Sequence, residues 1–130
     1  MAKKLFDTCV FLDYLNGSDE ARRSLESVFD DSSESGYYSV WTVLELLQRP
    51  NLTPEDAVRR MDLLKSFVAI PLTEHIATDA ALLASDLRNG NPATITGDAV
   101  IAVSAAALNC VVVTRNLKDF ALLKAPIENY

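Results

Sequence analysis

Apolar residues along the chain follow two spacings. Short unbroken runs, Leu5-Phe6, Tyr37-Tyr38-Ser39-Val40-Trp41, Val68-Ala69-Ile70-Pro71-Leu72 and Cys110 to Thr114, are rich in β-branched and aromatic residues and too brief for buried helices, so each predicts a strand. The first ends at Asp7, and Pro126-Ile127 adds a fifth at the sheet edge. Between them the spacing is helical. Val10 to Leu15 makes a short helix closed by Asn16-Gly17, and Ser18 caps another through Phe29 with Ala21, Leu25, Val28 and Phe29 on one face. Thr42 to Gln48 follows the second strand and stops before Pro50. Thr53-Pro54-Glu55-Asp56 opens a helix whose stripe is Ala57, Val58, Met61, Leu64 and Phe67. Thr73 caps the next, with Ile76, Ala80, Leu83 and Leu87 in register and Gly90 and Pro92 at its end. Gly97-Asp98 opens a last long helix through Leu108. Strands alternating with helices predict an α/β fold, a parallel sheet of four to five strands covered on both faces. With no internal repeat and no linker, residues 1–130 read as a single domain.

Composition narrows the class. At 130 residues the chain buries roughly two-thirds of its unfolded surface and needs neither metal nor disulfide to fold. A hydrophobic content of 49% with 23% charged residues is that of a soluble globular protein, and Asp30-Asp31-Ser32-Ser33-Glu34-Ser35-Gly36 reads as a solvated loop. Cys9 and Cys110 are too few for a disulfide framework and fall at opposite ends of their strands, on the order of 15 Å apart if those strands are neighbours. Both are expected to be reduced, in a cytoplasmic protein. Asp7 and Asp13 interrupt any signal-peptide core after Lys3-Lys4, and the uncharged run Ala99 to Thr114 is short of the roughly 20 residues a membrane helix needs.

The formal charge of −6 argues against a simple electrostatic binder of nucleic acid. It has a second reading, in which several carboxylates are normally neutralised by bound cations. Four acids stand at places where that matters. Asp7 ends the first strand, at the side of an open α/β sheet where ligands bind. Glu45, in Trp41-Thr42-Val43-Leu44-Glu45-Leu46-Leu47, is either a buried acid or an exposed one paired with Arg49 a turn later. Asp98 is either an acid favoured by a helix dipole or a member of a cluster, and Asp119 follows the fourth strand. Carboxylates crowded together repel by about 4 kcal/mol per pair near 4 Å at a surface-like dielectric, and a divalent cation relieves this. All-oxygen ligands suit Mg²⁺ or Mn²⁺, which favour phosphate chemistry. His75, with no Ser or Cys nucleophile pattern, reads as surface; Trp41, Tyr37 and Tyr38 read as core. Asp13 stands at one remove from Asp7, and strand alternation would turn Cys9 away from it.

Asp7-Thr8 with Asp13, Ser39 through Glu45, Gly97-Asp98 with Ile101-Ala102, and Thr114-Arg115-Asn116-Leu117-Lys118-Asp119-Phe120 together resemble the PIN-domain ribonucleases, and most closely the VapC toxins of toxin-antitoxin pairs. The resemblance spans essentially the whole chain. It implies a three-layer α/β/α fold and a Mg²⁺- or Mn²⁺-dependent endoribonuclease, dimeric and inhibited by a cognate antitoxin. Asp7, Glu45 and Asp98 match the family acids that hold the metal or its waters. The fourth acidic position falls on Asn116, an amide here, with Asp119 three residues on as the other candidate. Thr114 matches the family hydroxyl near the metal. The expected chemistry is in-line hydrolysis of an RNA phosphodiester leaving a 5′-phosphate. Arg115, Lys118 and Arg49 are the candidate contacts to RNA phosphates. The alternative is a catalytically weak or inactive PIN-like protein acting as a binding partner. Receiver-type and haloacid-dehalogenase-like readings fail, because Pro71-Leu72-Thr73 and Cys9 stand where those patterns need Asp.

Overall fold

The computed structural model describes residues 2–87 and 92–130. In chain order the elements are β1 (Ala2–Phe6), α1 (Thr8–Leu15), α2 (Asp19–Asp30), β2 (Glu34–Ser39), α3 (Val40–Leu47), α4 (Pro54–Leu64), β3 (Val68–Ile70), α5 (Glu74–Asp86), α6 (Pro92–Leu108), β4 (Val111–Val113), α7 (Leu117–Leu122) and β5 (Ile127–Glu128). The five strands form one sheet in the order β3-β2-β1-β4-β5, with every pairing parallel. The expected α/β fold with a helix-covered parallel sheet is therefore observed.

Strand alternation builds two cores. Leu5, Tyr37 and Val112 turn to one face, where Ile76, Ala80 and Ala84 of α5 pack with Ala99, Ile101 and Ala105 of α6. Phe6, Tyr38 and Val113 turn to the other, against Val10 and Phe11 of α1, Ala21, Leu25 and Val28 of α2, Leu46 of α3 and Leu64 of α4. Burial on both faces is why these strands read as unbroken apolar runs. Edge-to-face rings, Phe6 against Phe11 and Phe67 and Phe11 against Phe67 and Tyr38, with centroids 5.5 to 6.5 Å apart, seat α1 on the end of β1.

The expected caps are present. Ser18 accepts from Ala21 N–H, Thr53 and Asp56 form a reciprocal capping box, and Thr73 accepts from Ile76 N–H. Gly17, at φ 91°, turns the chain out of α1. Val58 and Phe29, placed by spacing on apolar faces, are exposed.

Several boundaries differ from the sequence reading. Helix α6 begins at Pro92, so this proline is a helix-starting residue rather than the end of α5, and Gly97-Asp98 lie inside the helix instead of opening it. Gly90 lies outside the described residues. Glu34, Ser35 and Gly36 are strand, not loop, because they pair with Ala2, Lys3 and Lys4 of β1, where Lys4 bridges Glu34 and Glu128 at 3.4 and 3.1 Å. Val40 and Trp41 belong to α3, since Ser39 ends β2 by accepting from Trp41 N–H at 3.1 Å. Helix α1 starts at Thr8, two residues earlier than its spacing suggests, with Asp7 as its cap.

Gly36 is where β2 meets the aromatic cluster. A Cβ there would stand 2.8 Å from the Phe67 ring, 3.0 Å from Val28 and 3.2 Å from Phe6. Gly36→Ala is expected to destabilise the protein by about 1–3 kcal/mol, the usual cost of overpacking. A lowered urea midpoint would report it; an unchanged midpoint would mean that the cluster yields freely.

Candidate active site

The sheet changes direction at β1. The chain runs from β1 to β2 and β3 on one side, and β4 and β5 lie on the other. At such a switch point the loops leaving the two neighbouring strands diverge and open a crevice beyond their carboxyl ends. Phe6 registers with Val113, so Asp7 and Thr114 emerge side by side there, and Asp7 N–H donates to Val113 carbonyl at 3.0 Å. Both residues are buried, yet Asp7 is fully engaged: Oδ1 accepts from Thr8 N–H at 2.7 Å and Oδ2 from the Thr114 hydroxyl at 2.8 Å. Asn116 N–H donates to Thr114 Oγ1 at 2.9 Å, fixing the hydroxyl from its other side.

Glu45 is reached from the same strand end. The Thr8 hydroxyl donates to Glu45 Oε1 at 2.8 Å, which leaves its oxygen to accept from Thr42 Oγ1, also at 2.8 Å. Neither sequence alternative for Glu45 holds in full. Its residue lies on the exposed rim of α3 with the carboxylate turned to Thr8, and Arg49 Nε donates to the Glu45 backbone carbonyl, not to the carboxylate.

Asp98 comes from the second turn of α6, brought in because Gly97 lets the helix lie against Trp41. A Cβ at Gly97 would sit 2.5 Å from Trp41 Nε1. Burial pushes the Asp98 carboxyl up to about 7, and the charges of Asp7, Asp119 and Glu45 push it the same way. Those three acids are therefore its electrostatic neighbours. Burial also raises Asp7, against the hydrogen bonds from Thr114, Cys9 and Thr8 and the charge of Arg115. Glu45 is raised first by burial, with the Thr8 bond opposing and Asp7 adding.

The other candidates are distributed around this crevice. Asp119 is exposed in the first turn of α7, and Asn116 stands at its start with no side-chain cap bond. Arg115 and Lys118 are exposed at the same rim, and Arg115 Nη1 pairs with Asp13 Oδ2 at 3.0 Å. Cys9 does not turn away from Asp7. With α1 already begun at Thr8, helical geometry replaces strand alternation, and Sγ donates to Asp7 Oδ2 at 3.4 Å. Burial and the Asp7 charge raise this thiol, consistent with an unreactive cysteine, and neither cysteine is in a disulfide. His75 is exposed and pairs with Asp79, as expected of a surface residue. Sequence reasoning missed Thr8 and Thr42, which link Asp7's helix to Glu45, and Tyr130, whose hydroxyl donates to Asp13. For Thr8 the available signal was a hydroxyl directly beside Asp7; Thr42 and Tyr130 are brought in by the fold.

The donor chemistry around the crevice is carboxylate and hydroxyl oxygen, suited to a hard divalent cation. Among the described residues no three acid, histidine or cysteine side chains stand close enough together to hold an ion as they are placed.

The family model of the PIN domain matches residues 4–125. The chain belongs to the PIN-domain family. No curated protein matches it significantly. Among solved structures it resembles a chain of VapBC2 from Rickettsia felis bound to a promoter DNA fragment, at 21% identity and TM-score 0.74 over 98% of each chain. A toxin-antitoxin complex from Klebsiella pneumoniae matches at 26% identity and TM-score 0.72, over 91% of this chain and 90% of that one. DNA-bound VapBC from Salmonella typhimurium matches at 23% and TM-score 0.72, over 99% and 98%. The three-layer PIN fold and the likeness to VapC-type chains expected from the motifs are thus both observed. Among the described residues no helix of this PIN domain is long and apolar enough to cross a membrane.

The raised Asp98 pKa makes the apo PIN domain pH-sensitive. The native state holds this proton to about pH 7, the unfolded chain only to the ordinary carboxylate range near 4, so Asp98 favours folding at low pH and that contribution is lost as pH rises through 7. In EDTA, Asp98→Asn is expected to raise Tm at pH 8 by a few degrees and to leave it nearly unchanged at pH 4. An equal shift at both pH values would contradict a charge-based effect.

Proposed function

We propose that this PIN domain is an endoribonuclease that hydrolyses RNA phosphodiester bonds with Mg²⁺ or Mn²⁺, and that it is the toxin of a toxin-antitoxin pair. The observation carrying the reading is Asp7, held by hydrogen bonds from Thr8 and Thr114 at the switch point, with Glu45 and Asp98 within its field and Asp119 within that of Asp98. A divalent cation would relieve the repulsion among these acids, and their oxygen donors fit one that retains affinity for phosphate. Asp7, Glu45 and Asp98 would hold it. When bound, the ion supplies Lewis-acid polarisation of the phosphodiester and acidifies water.

The protein's own part is positioning. Thr114 and Thr8 fix the Asp7 oxygens before substrate arrives, so little reorganisation is left for the reaction. Thr8, braced by Thr42, sets Glu45 on the opposite wall. Asp98 is carried to the same crevice by α6, where Gly97 lets the helix lie against Trp41. Arg115 and Lys118, and Arg49 farther along the rim, offer cationic donors to phosphates that the net charge of −6 would otherwise repel. An antitoxin partner and a homodimer in the cytoplasm are part of the same proposal, supported by the fold shared with VapBC chains.

Asn116, an amide at the fourth acidic position, and the separation of the acids favour a second reading, a weakly active PIN domain that acts by binding a partner.

With Mn²⁺ the protein is expected to cleave a fluorescent single-stranded RNA, leaving 5′-phosphate ends, and to leave the matching DNA strand intact. Asp7→Asn is expected to lower kcat by at least about 100-fold, since a fixed electrostatic group of this kind commonly contributes that much. Excess EDTA should abolish cleavage without lowering the native circular dichroism. Full activity in EDTA would refute the metal-dependent proposal, and metal binding without cleavage would place the partner-binding reading ahead.

A further inference from the structure

Arg115 leaves the site between two pinned residues, buried Thr114 and Asn116, whose N–H is bonded to the Thr114 hydroxyl. Its backbone is therefore fixed. Its head group is fixed too: Nη1 lies 3.0 Å from Asp13 Oδ2, an oxygen that also accepts from the Tyr130 hydroxyl. Tyr130 lies 3.7 Å from Cys9 Sγ, and Cys9 in turn donates to Asp7 Oδ2 at 3.4 Å. A continuous chain of contacts thus runs from Tyr130, two residues beyond β5, through α1 to the central acid.

The two ends of the Arg115–Asp13 pair differ in exposure. The Arg115 side chain is 61% exposed and that of Asp13 17%. An ion pair with so open a cation adds little to stability. Its physical effect is conformational. A guanidinium carries five N–H donors in a rigid fork, and a single oxygen at Nη1 leaves the outer donors open. Tyr130, occupying the same Asp13 oxygen, limits that carboxylate's hold on the fork.

We infer that Asp13 and Tyr130 are positioning residues that hold Arg115 with its open donors toward a phosphate of the bound strand. This rests on the nuclease reading above, and it assigns a role to two residues outside the acidic cluster. Fixing the rotamer before binding removes an ordering cost that RNA would otherwise meet on association. The competing account makes Asp13 a counter-ion that masks Arg115. The two differ in sign, because removing a masking charge strengthens phosphate binding and removing an anchor weakens it.

The test is KM and kcat for single-stranded RNA cleavage with Mn²⁺, with anisotropy of the same labelled strand in Ca²⁺ reading binding alone. Asp13→Asn and Tyr130→Phe are each expected to raise KM and the Ca²⁺ dissociation constant about two- to tenfold, the range for freeing one rotamer-rich side chain, with kcat nearly unchanged. In an Arg115→Ala background Asp13→Asn should add nothing. Tyr130→Phe keeps every charge and is expected to keep the fold. Tighter binding by Asp13→Asn, an undiminished effect without Arg115, or wild-type binding by Tyr130→Phe would each overturn the assignment. A wild-type protein that neither cleaves nor binds RNA would instead refute the nuclease reading itself.

Discussion

The hydrogen bond from Thr114 to Asp7 joins the ends of the two strands between which the sheet reverses direction. It exists because β1 and β4 are parallel neighbours in a register that pairs Phe6 with Val113. Phe6 and Phe11, packed in one aromatic cluster, hold the residues on either side of Asp7. The acid is buried but cannot retreat into the core, since its own N–H is committed to Val113 and its oxygens to Thr8 and Thr114. Every other site residue is placed relative to this point: Glu45 through Thr8, Asp98 through the contact of Gly97 with Trp41, and Arg115 through its position next to Thr114.

Holding acids in this way opposes the ordinary tendency of like charges to separate. Burial raises Asp7, Glu45 and Asp98 together, and Asp98, pushed further by the charges of Asp7, Asp119 and Glu45, reaches about 7. Such tension has no structural benefit to the fold, whose two cores are built without these carboxylates. Perturbed carboxylates of this kind cluster at functional sites. Arg115 on the rim tempers the charge at Asp7, and Arg49 that at Glu45.

Much of this was legible in the sequence because each strand is buried on both faces and so appears as an unbroken apolar run, and because Ser18, Thr53 and Thr73 are hydroxyl caps that work locally. Asp7 was legible for the same reason, as the first charge after such a run. What was not legible depended on tertiary context. Proline both ends and begins helices, so Pro92 read as a stop when it is a start. Glu34-Ser35-Gly36 looks like loop, and only pairing with β1 and the space under Phe67 make it strand. The orientation of Cys9 depended on whether the chain is strand or helix at Thr8, a one-residue decision that reverses its direction. Thr42 and Tyr130, 34 and 122 residues from Thr8, reach the site through the fold alone.

The most direct measurement is a calorimetric titration of Mn²⁺ into the metal-free protein and into Asp7→Asn, Glu45→Gln and Asp98→Asn. Saturable binding to the wild type that is weakened in all three variants, each still folded by circular dichroism, is the predicted result. Absence of binding to the wild type, or binding untouched by the three substitutions, would contradict the claim that these carboxylates are assembled for a cation.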